Sequence, residues 1–271
     1  ETVDYPNNLQ EGNIGHDRIR ICEDTNGDGR ADKFTLFADK LSIPTSVLCV
    51  NGGVISTNGT QVIFLKDTNG DDKADERKVI LEGFSMGDTH AGPSNLRYGF
   101  DNWIYATVGY SGFNGTVGGE HHKFSQGVFR FKADGSKLEF LQNTTNNTWG
   151  LGFTSDFDIM GSTANANPSW YFTFAKSLYQ NAGIEPPRTP RADDNPLFFP
   201  SSTDIRQVDQ FDRYTAAAGH GFYTSTRFPE NYRDRIAFVT EPTGKLVGQF
   251  DVTRVGAGYK ARQLPNNLFD S

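Results

Sequence analysis

Cysteine is nearly absent: Cys22 and Cys49 are the only two in 271 residues, with no CxxC, no CxxCH and no zinc-type spacing. A disulfide-rich scaffold, a covalently attached haem and a cysteine zinc site are thereby excluded. The two cysteines fall in separate predicted strands, RIRICED and SVLCV, where either one disulfide or two thiols packing as small hydrophobes is compatible with the sequence. No apolar run approaches the roughly 18 residues that a membrane-spanning helix needs, and the opening ETVDYPNN holds no signal-peptide core. An exported protein would already have lost that segment. Basic excess is missing too: 26 Lys and Arg stand against 33 Asp and Glu, a formal charge of −7. Nucleic acid is therefore not an expected partner. Finally, no window of a dozen residues carries a 3.6-residue apolar period, so long amphipathic helices are not expected.

What the chain does have is 36% hydrophobic residues, 22 Phe, 10 Tyr and 29 Gly, a composition suited to many short strands joined by tight turns around a sizeable core. One nine-residue phrase recurs. DTNGDGRAD begins at Asp24, and DTNGDDKAD begins 43 residues later at Asp67. In the first copy Asp24, Asn26, Asp28, the Arg30 carbonyl and Asp32 occupy positions 1, 3, 5, 7 and 9 of a calcium-binding loop; the second offers Asp67, Asn69, Asp71, the Lys73 carbonyl and Asp75. Thr35 and Lys78 stand where an EF-hand has its bidentate Glu, and the flanks alternate like strands, so an EF-hand is excluded. Asn-Gly and Asp-Gly are also strong hairpin signals, because both residue types accept positive φ. Position 6 is Gly29 in one copy and Asp72 in the other, which makes the second loop the weaker candidate.

A 43-residue period is typical of a four-stranded propeller blade. Hairpins of apolar strand, Asp/Gly turn and apolar strand occur as RIRICEDTNGDGRADKFTLF, QVIFLKDTNGDDKADERKVIL, GVFRFKADGSKLEFL and KLVGQFDVTRVGAGYKARQL. Between them lie the more apolar pairs SVLCVNGGVIST, SNLRYGFDNWIYATVG, WGLGFTSDFDIMGST and GHGFYTST with RIAFVTEP. The predicted fold is an all-β propeller, a single domain over residues 1–271, with inner strand pairs A–B and outer pairs C–D making about four blades. Small closed propellers commonly have six to eight, so NLFDS is not expected to be the natural end. Residues 109–126 and 168–212 break the pattern and are expected to be long functional loops.

Antiparallel order places A–B and C–D turns on one face of the disc and the B–C and D–A connections on the other. Both acidic loops belong to the first face. The second collects His90, Thr45, Asn114, His121, Asn146, Asn147, Asn165, Asn167, Arg206 and Asp209. His90, in GDTHAGPSN, is read from its neighbours as a strand cap. His121 and His122 read as solvated loop residues, Arg206 as an anion contact or an inter-blade link, and Trp149 and Trp170 as core or as sugar-stacking platforms.

DTNGDGRADKFTLFADKLSIPTSV, DTHAGPSNLRYGFDNWIYATVG, NNTWGLGFTSDFDIMGSTANANPSWY and YTAAAGHGFYTSTRFPENYRDRIAFVTEPTGKLVGQF resemble the propeller of the membrane-bound-dehydrogenase family common in Planctomycetes and Bacteroidetes. More distantly they are similar to soluble quinoprotein glucose and sorbosone dehydrogenases. The resemblance runs from about Asp17 onward. It implies a six-bladed, exported propeller, periplasmic or at the cell surface, often followed by a haem domain whose CxxCH is absent here. It also implies oxidation of a sugar or polyol hydroxyl, with His90 as the base and pyrroloquinoline quinone as cofactor near Asn95, Arg97, Asn165 and Arg206, and a c-type cytochrome or other electron acceptor as partner. Two other classes stay open: a non-catalytic carbohydrate- or protein-binding propeller stabilised by calcium, and a calcium-dependent sugar-lactone hydrolase. The second needs a carboxylate cluster, and the polar face is richer in Asn than in Glu.

Overall fold

A computed structural model describes residues 1–6, 9–200, 202–207 and 211–270. The chain opens with an outer hairpin, β1 (Asp17–Glu23) and β2 (Lys33–Leu41), joined by the first acidic loop. A four-stranded sheet follows in simple meander order: β3 (Val47–Val50), β4 (Gly53–Asn58), β5 (Gln61–Lys66) and β6 (Glu76–Glu82). The second acidic loop joins β5 to β6. The next sheet holds β7 (Pro93–Tyr98) and β8 (Ile104–Val108), after which the chain makes a separate hairpin, β9 (Phe113–Val117) and β10 (Glu120–Phe124). It then returns with β11 (Gly127–Phe131) and β12 (Leu138–Asn143). The third sheet is β13 (Thr148–Phe153), β14 (Ile159–Thr163) and β15 (Asn167–Tyr171). Beyond it come α1 (Lys176–Asn181), the only α-helix among the described residues, and a single bridge of Trp170 to Arg191 where a fourth strand would run. The last sheet is β16 (Ala218–Phe222), β17 (Ile236–Glu241), β18 (Leu246–Val255) and β19 (Gly258–Gln263), with β20 (Phe269–Asp270) also pairing β18.

This is a β-propeller built from antiparallel blades, with the inner strands β3, β7, β13 and β16 adjacent in that order. All four predicted outer hairpins and all four inner pairs are present. Two expectations are corrected. Residues 109–126 are mostly the β9–β10 hairpin, tied to the exit of β6 by hydrogen bonds from Asn114 N to the Gly83 carbonyl (2.8 Å) and from Ser85 N to the Gly112 carbonyl (3.2 Å). Residues 168–212 begin inside β15, whose residues 167–170 are buried. A strand covered on both faces carries no alternation, so the period-2 signal had nothing to detect. The cysteines are free and exposed, without a disulfide.

The blades are held by apolar side chains packed between neighbouring sheets. Ile55, Val62 and Leu81 of the first full sheet share a core with Ile104, Phe129 and Phe131 of the second. Leu151, Ile159 and Trp170 continue it against Tyr105 and Val128, and Met160 joins Ala237, Val239 and Phe250 of the last sheet. Burial of each large side chain contributes about 1.5–3 kcal/mol. The leading hairpin packs Phe37, Ala38 and Leu41 on Ile63 and Leu65.

Among the polar groups buried in this packing is a histidine. His220 on β16 is buried, its Nε2 3.1 Å from Ser169 Oγ of β15, and its Nδ1 lacks a partner among the described residues. Burial pushes its pKa down to about 3. The unfolded chain, with an ordinary histidine near 6.5, then binds the extra proton between those values. Stability contributed by neutral His220 is complete above about pH 6.5 and is lost as the pH falls toward 3. His220→Gln is expected to flatten the decline of melting temperature between pH 7 and 4 relative to the parent chain, measured by scanning calorimetry; parallel curves would show that His220 does not govern it.

Candidate functional site

A cavity of about 540 Å³ opens on the face made by the B–C and D–A connections. Six of these connections contribute: Asp88 and His90 lie between β6 and β7, Tyr110 between β8 and β9, and Asn146 and Asn147 before β13. Ala164 and Asn165 follow β14, Thr215 and Ala216 precede β16, and Pro242 follows β17, while Trp149 of β13 and Tyr5 complete the wall.

His90 sits in a one-turn 3₁₀ helix, Thr89–Ala91, whose N-cap is Asp88. The Asp88 Oδ1 atom accepts from the His90 backbone N–H (2.9 Å) and lies 3.0 Å from His90 Nδ1. Asp88 Oδ2 accepts from the Tyr110 hydroxyl, and the Asp88 carbonyl accepts from Ser111 Oγ (3.0 Å). Burial works to raise the Asp88 carboxyl, but the Tyr110 hydroxyl and the His90 contacts outweigh it and hold it below the usual carboxylate range. An ionised Asp88 makes Nδ1 the protonated nitrogen of neutral His90, which leaves Nε2 as a proton acceptor. Tyr5 meets the imidazole edge-on, with ring centroids 5.4 Å apart. Burial and the charge of Asp88 both raise its phenol pKa. The residue that caps this turn is Asp88 and not His90, which corrects the reading of His90 as a strand cap; the same carboxylate orients the imidazole.

The backbone under His90 is held from across the pocket. Its carbonyl accepts from Trp149 Nε1 (2.7 Å) and from Asn147 Nδ2 (3.0 Å). Asn147 is buried, and its Oδ1 has no partner among the described residues. Gly109 makes this approach achievable: a Cβ there would lie 1.9 Å from Asn147 Oδ1 and 2.6 Å from Ala91 Cα.

A second recess of about 430 Å³ adjoins along the inner strands, sharing Trp149 and Ala218 with the first. Asn95 and Arg97 line it, together with Thr45. A bulge between Ser94 and Arg97, with Asn95 at φ 56°, turns the Asn95 amide to the Trp149 carbonyl (2.5 Å).

Of the remaining candidates, Asn146, Asn147 and Asn165 line the cavity. Asn167 is buried in β15, with its side-chain amide 3.1 Å from Thr145 Oγ1. Arg206 is exposed on a loop and lines none of the described recesses, Asp209 lies outside the described residues, and Trp170 is fully buried. His121 Nε2 is paired to Asn114 Oδ1 (2.9 Å) within the β9–β10 hairpin, away from the cavity. Asp88, Tyr110, Tyr5 and Thr215 were not singled out from the sequence. Asp88 alone had a local signal, as an acid two residues before His90 in a capping pattern.

The acidic loops lie on the other face. Asp24 accepts from the backbone N–H groups of Gly29 (2.8 Å), Gly27 (2.7 Å) and Asp28 (3.2 Å), which hold its carboxyl below the usual range, Gly29 foremost. Asp32 accepts from Thr25 N and Oγ1, and the second loop repeats this with Asp67, Asp75 and Thr68. Gly29 and Asp72 stand at φ 86° and 63°, as the turn requires. Among the described residues no three His, Cys, Asp or Glu side chains converge as a metal cluster.

A profile described as a domain of unknown function (DUF7133) matches residues 1–271. The chain belongs to that family. No curated protein is significantly similar. The fold is shared with solved structures of low identity. A glucose dehydrogenase-type oxidoreductase from Thermus thermophilus is 12% identical at a TM-score of 0.57, over 94% of this chain and 78% of that one. A luciferin-regenerating enzyme and a nidogen/laminin complex are each 10% identical at 0.50, over 88% and 83% of this chain. The DUF7133 chain spans 66% and 65% of the lengths of those two. Proteins of such different kinds on one scaffold establish the fold alone.

The two donors on the His90 carbonyl predict the local stiffness of the site. Asn147→Ala removes one of them, and amide hydrogen exchange over residues 88–91 is expected to speed up about fivefold or more, the effect of about 1 kcal/mol. Unchanged protection would mean that Trp149 alone suffices.

Proposed function

We propose that the cavity binds a sugar or related polyol and that His90 accepts a proton from one of its hydroxyls. The observation that carries this reading is the Tyr110–Asp88–His90 chain at the cavity wall, beside the indole of Trp149 and the amides of Asn146, Asn147 and Asn165. An indole face with amide and hydroxyl groups suits a neutral polyhydroxylated ring. The carboxylate of Asp88 fixes the imidazole and stabilises the charge it gains on accepting a proton at Nε2. The glucose dehydrogenase description of the Thermus thermophilus neighbour agrees with a sugar as ligand, at the level of the fold.

Pyrroloquinoline quinone, implied by the sequence resemblance, would act there as hydride acceptor. Its three carboxylates call for cations, yet no Lys or Arg is among the described residues lining the cavity, and Asp88 adds a negative charge. Arg97 in the adjoining recess is one guanidinium against three carboxylates. The residues present do not fit the quinone. A lactonase reading lacks its carboxylate cluster among the described residues.

Titration calorimetry with glucose and sorbitol tests the proposal. Trp149→Ala is expected to weaken binding at least about tenfold. A flat titration with every neutral sugar and polyol would sink the reading.

For the acidic loops, the all-oxygen donor set fits a hard cation. Asp24, Asn26, Asp28, the Arg30 carbonyl and Asp32 would hold calcium, with Asp67, Asn69, Asp71, the Lys73 carbonyl and Asp75 binding more weakly. The metal would neutralise the carboxylates and brace the hairpin turns, on the face away from the cavity. Excess chelator is expected to lower the melting temperature by several degrees without changing sugar binding; identical melting in calcium and in chelator would refute a structural metal.

A further inference from the structure

We infer that the recess beside the His90 cavity is a carboxylate site, so that the ligand is a sugar acid whose acidic group is held by Arg97. This rests on the sugar reading of the cavity and deepens it.

Arg97 is the only charged side chain among the described residues lining this recess, and also the only one lining the next recess down the inner strands, of about 380 Å³. It is exposed, and no hydrogen bond or ion pair engages its side chain among the described residues. By contrast Arg130, on the same sheet, is paired with both Asp101 and Glu139, and Arg235 with Asp251. The bulge in β7 separates the roles of neighbouring residues. Asn95 is committed to the Trp149 carbonyl, Leu96 is buried, and Arg97 is left facing the space between inner strands.

Arg97 is thus a solvent-exposed planar cation with no protein partner among the described residues, in a recess with no acid to compete for it. Its lining is otherwise hydroxyls, an amide and apolar surface. A guanidinium in that setting selects a carboxylate, which it can bind through two parallel N–H donors. Trp149 walls both this recess and the cavity that holds His90, so one molecule can lie along the indole with its acid at Arg97 and its hydroxyls toward His90. The charges set the direction, because ionised Asp88 at the far end repels the acid. A uronic or aldonic acid satisfies both ends, and a neutral sugar satisfies only one.

Titration calorimetry on the full chain, with glucuronate and glucose as probes at low salt, tests this. Glucuronate is expected to bind at least about tenfold tighter than glucose, with an advantage that shrinks as salt is raised. Arg97→Gln is expected to reduce glucuronate to the affinity of glucose while leaving glucose affinity and the melting temperature unchanged; Arg97→Lys should restore part of the difference. If glucose binds and glucuronate binds no tighter, or if Arg97→Gln changes nothing, the carboxylate site is wrong and the sugar cavity stands. If neither probe binds, both fall. Binding of pyrroloquinoline quinone that Arg97→Gln abolishes would assign the guanidinium to that cofactor and overturn the sugar-acid assignment.

Discussion

The structure depends on sheets that are apolar on both faces and must be covered by other sheets. Phe129 and Phe131 on β11, Leu151 on β13 and Phe250 on β18 are fully buried, each in a core shared between neighbouring blades. A sheet with two apolar faces cannot end at water without cost, so the stacking runs blade to blade around an axis. The inner strands are brought together as a consequence. The polar recesses between them exist because the outer parts of the blades supply the burial.

Antiparallel order then does the sorting. Each blade delivers its A–B and C–D turns to one face and its B–C and D–A connections to the other, and the latter carry Asp88, Tyr110, Asn147, Asn165 and Thr215. They are tied to one another through hydrogen bonds that cross blades: Trp149 and Asn147 hold the carbonyl of His90, and Asn95 holds the carbonyl of Trp149. Side chains that would otherwise be mobile loop residues gain fixed positions through these links. Charge is separated across the same region, with ionised Asp88 beside His90 and the guanidinium of Arg97 beyond the indole.

The hairpins were legible because turn chemistry and strand alternation are local: Asn-Gly and Asp-Gly need positive φ, and a half-buried strand shows its period within about six residues. Where burial is complete, as in β15, the period disappears and the strand was missed. The β9–β10 hairpin was missed for a different reason: Gly and His obscure its alternation, and its tie to Gly83 and Ser85 joins segments about 30 residues apart. His90 was legible through a resemblance and Asp88 through a weak capping pattern. Tyr5 and Tyr110 had no signal, because aromatic residues are abundant in this chain and nothing local distinguishes a pocket tyrosine from a core one.

By itself the sequence determined the all-β class, the blade period, the hairpin turns and the face on which polar connections gather, since each follows from residues adjacent in the chain. Only the tertiary structure decided which of those polar residues meet. His90 and the Asn147 amide that holds its carbonyl are 57 residues apart, and Asn95 and the Trp149 carbonyl are 54 apart. Arg206, a candidate on equal terms in the sequence, was left outside the recesses, while Arg97 came to face the inner recess without an acidic partner. Contacts over such separations depend on how one blade's strands pack against the next, and no local pattern encodes that relation.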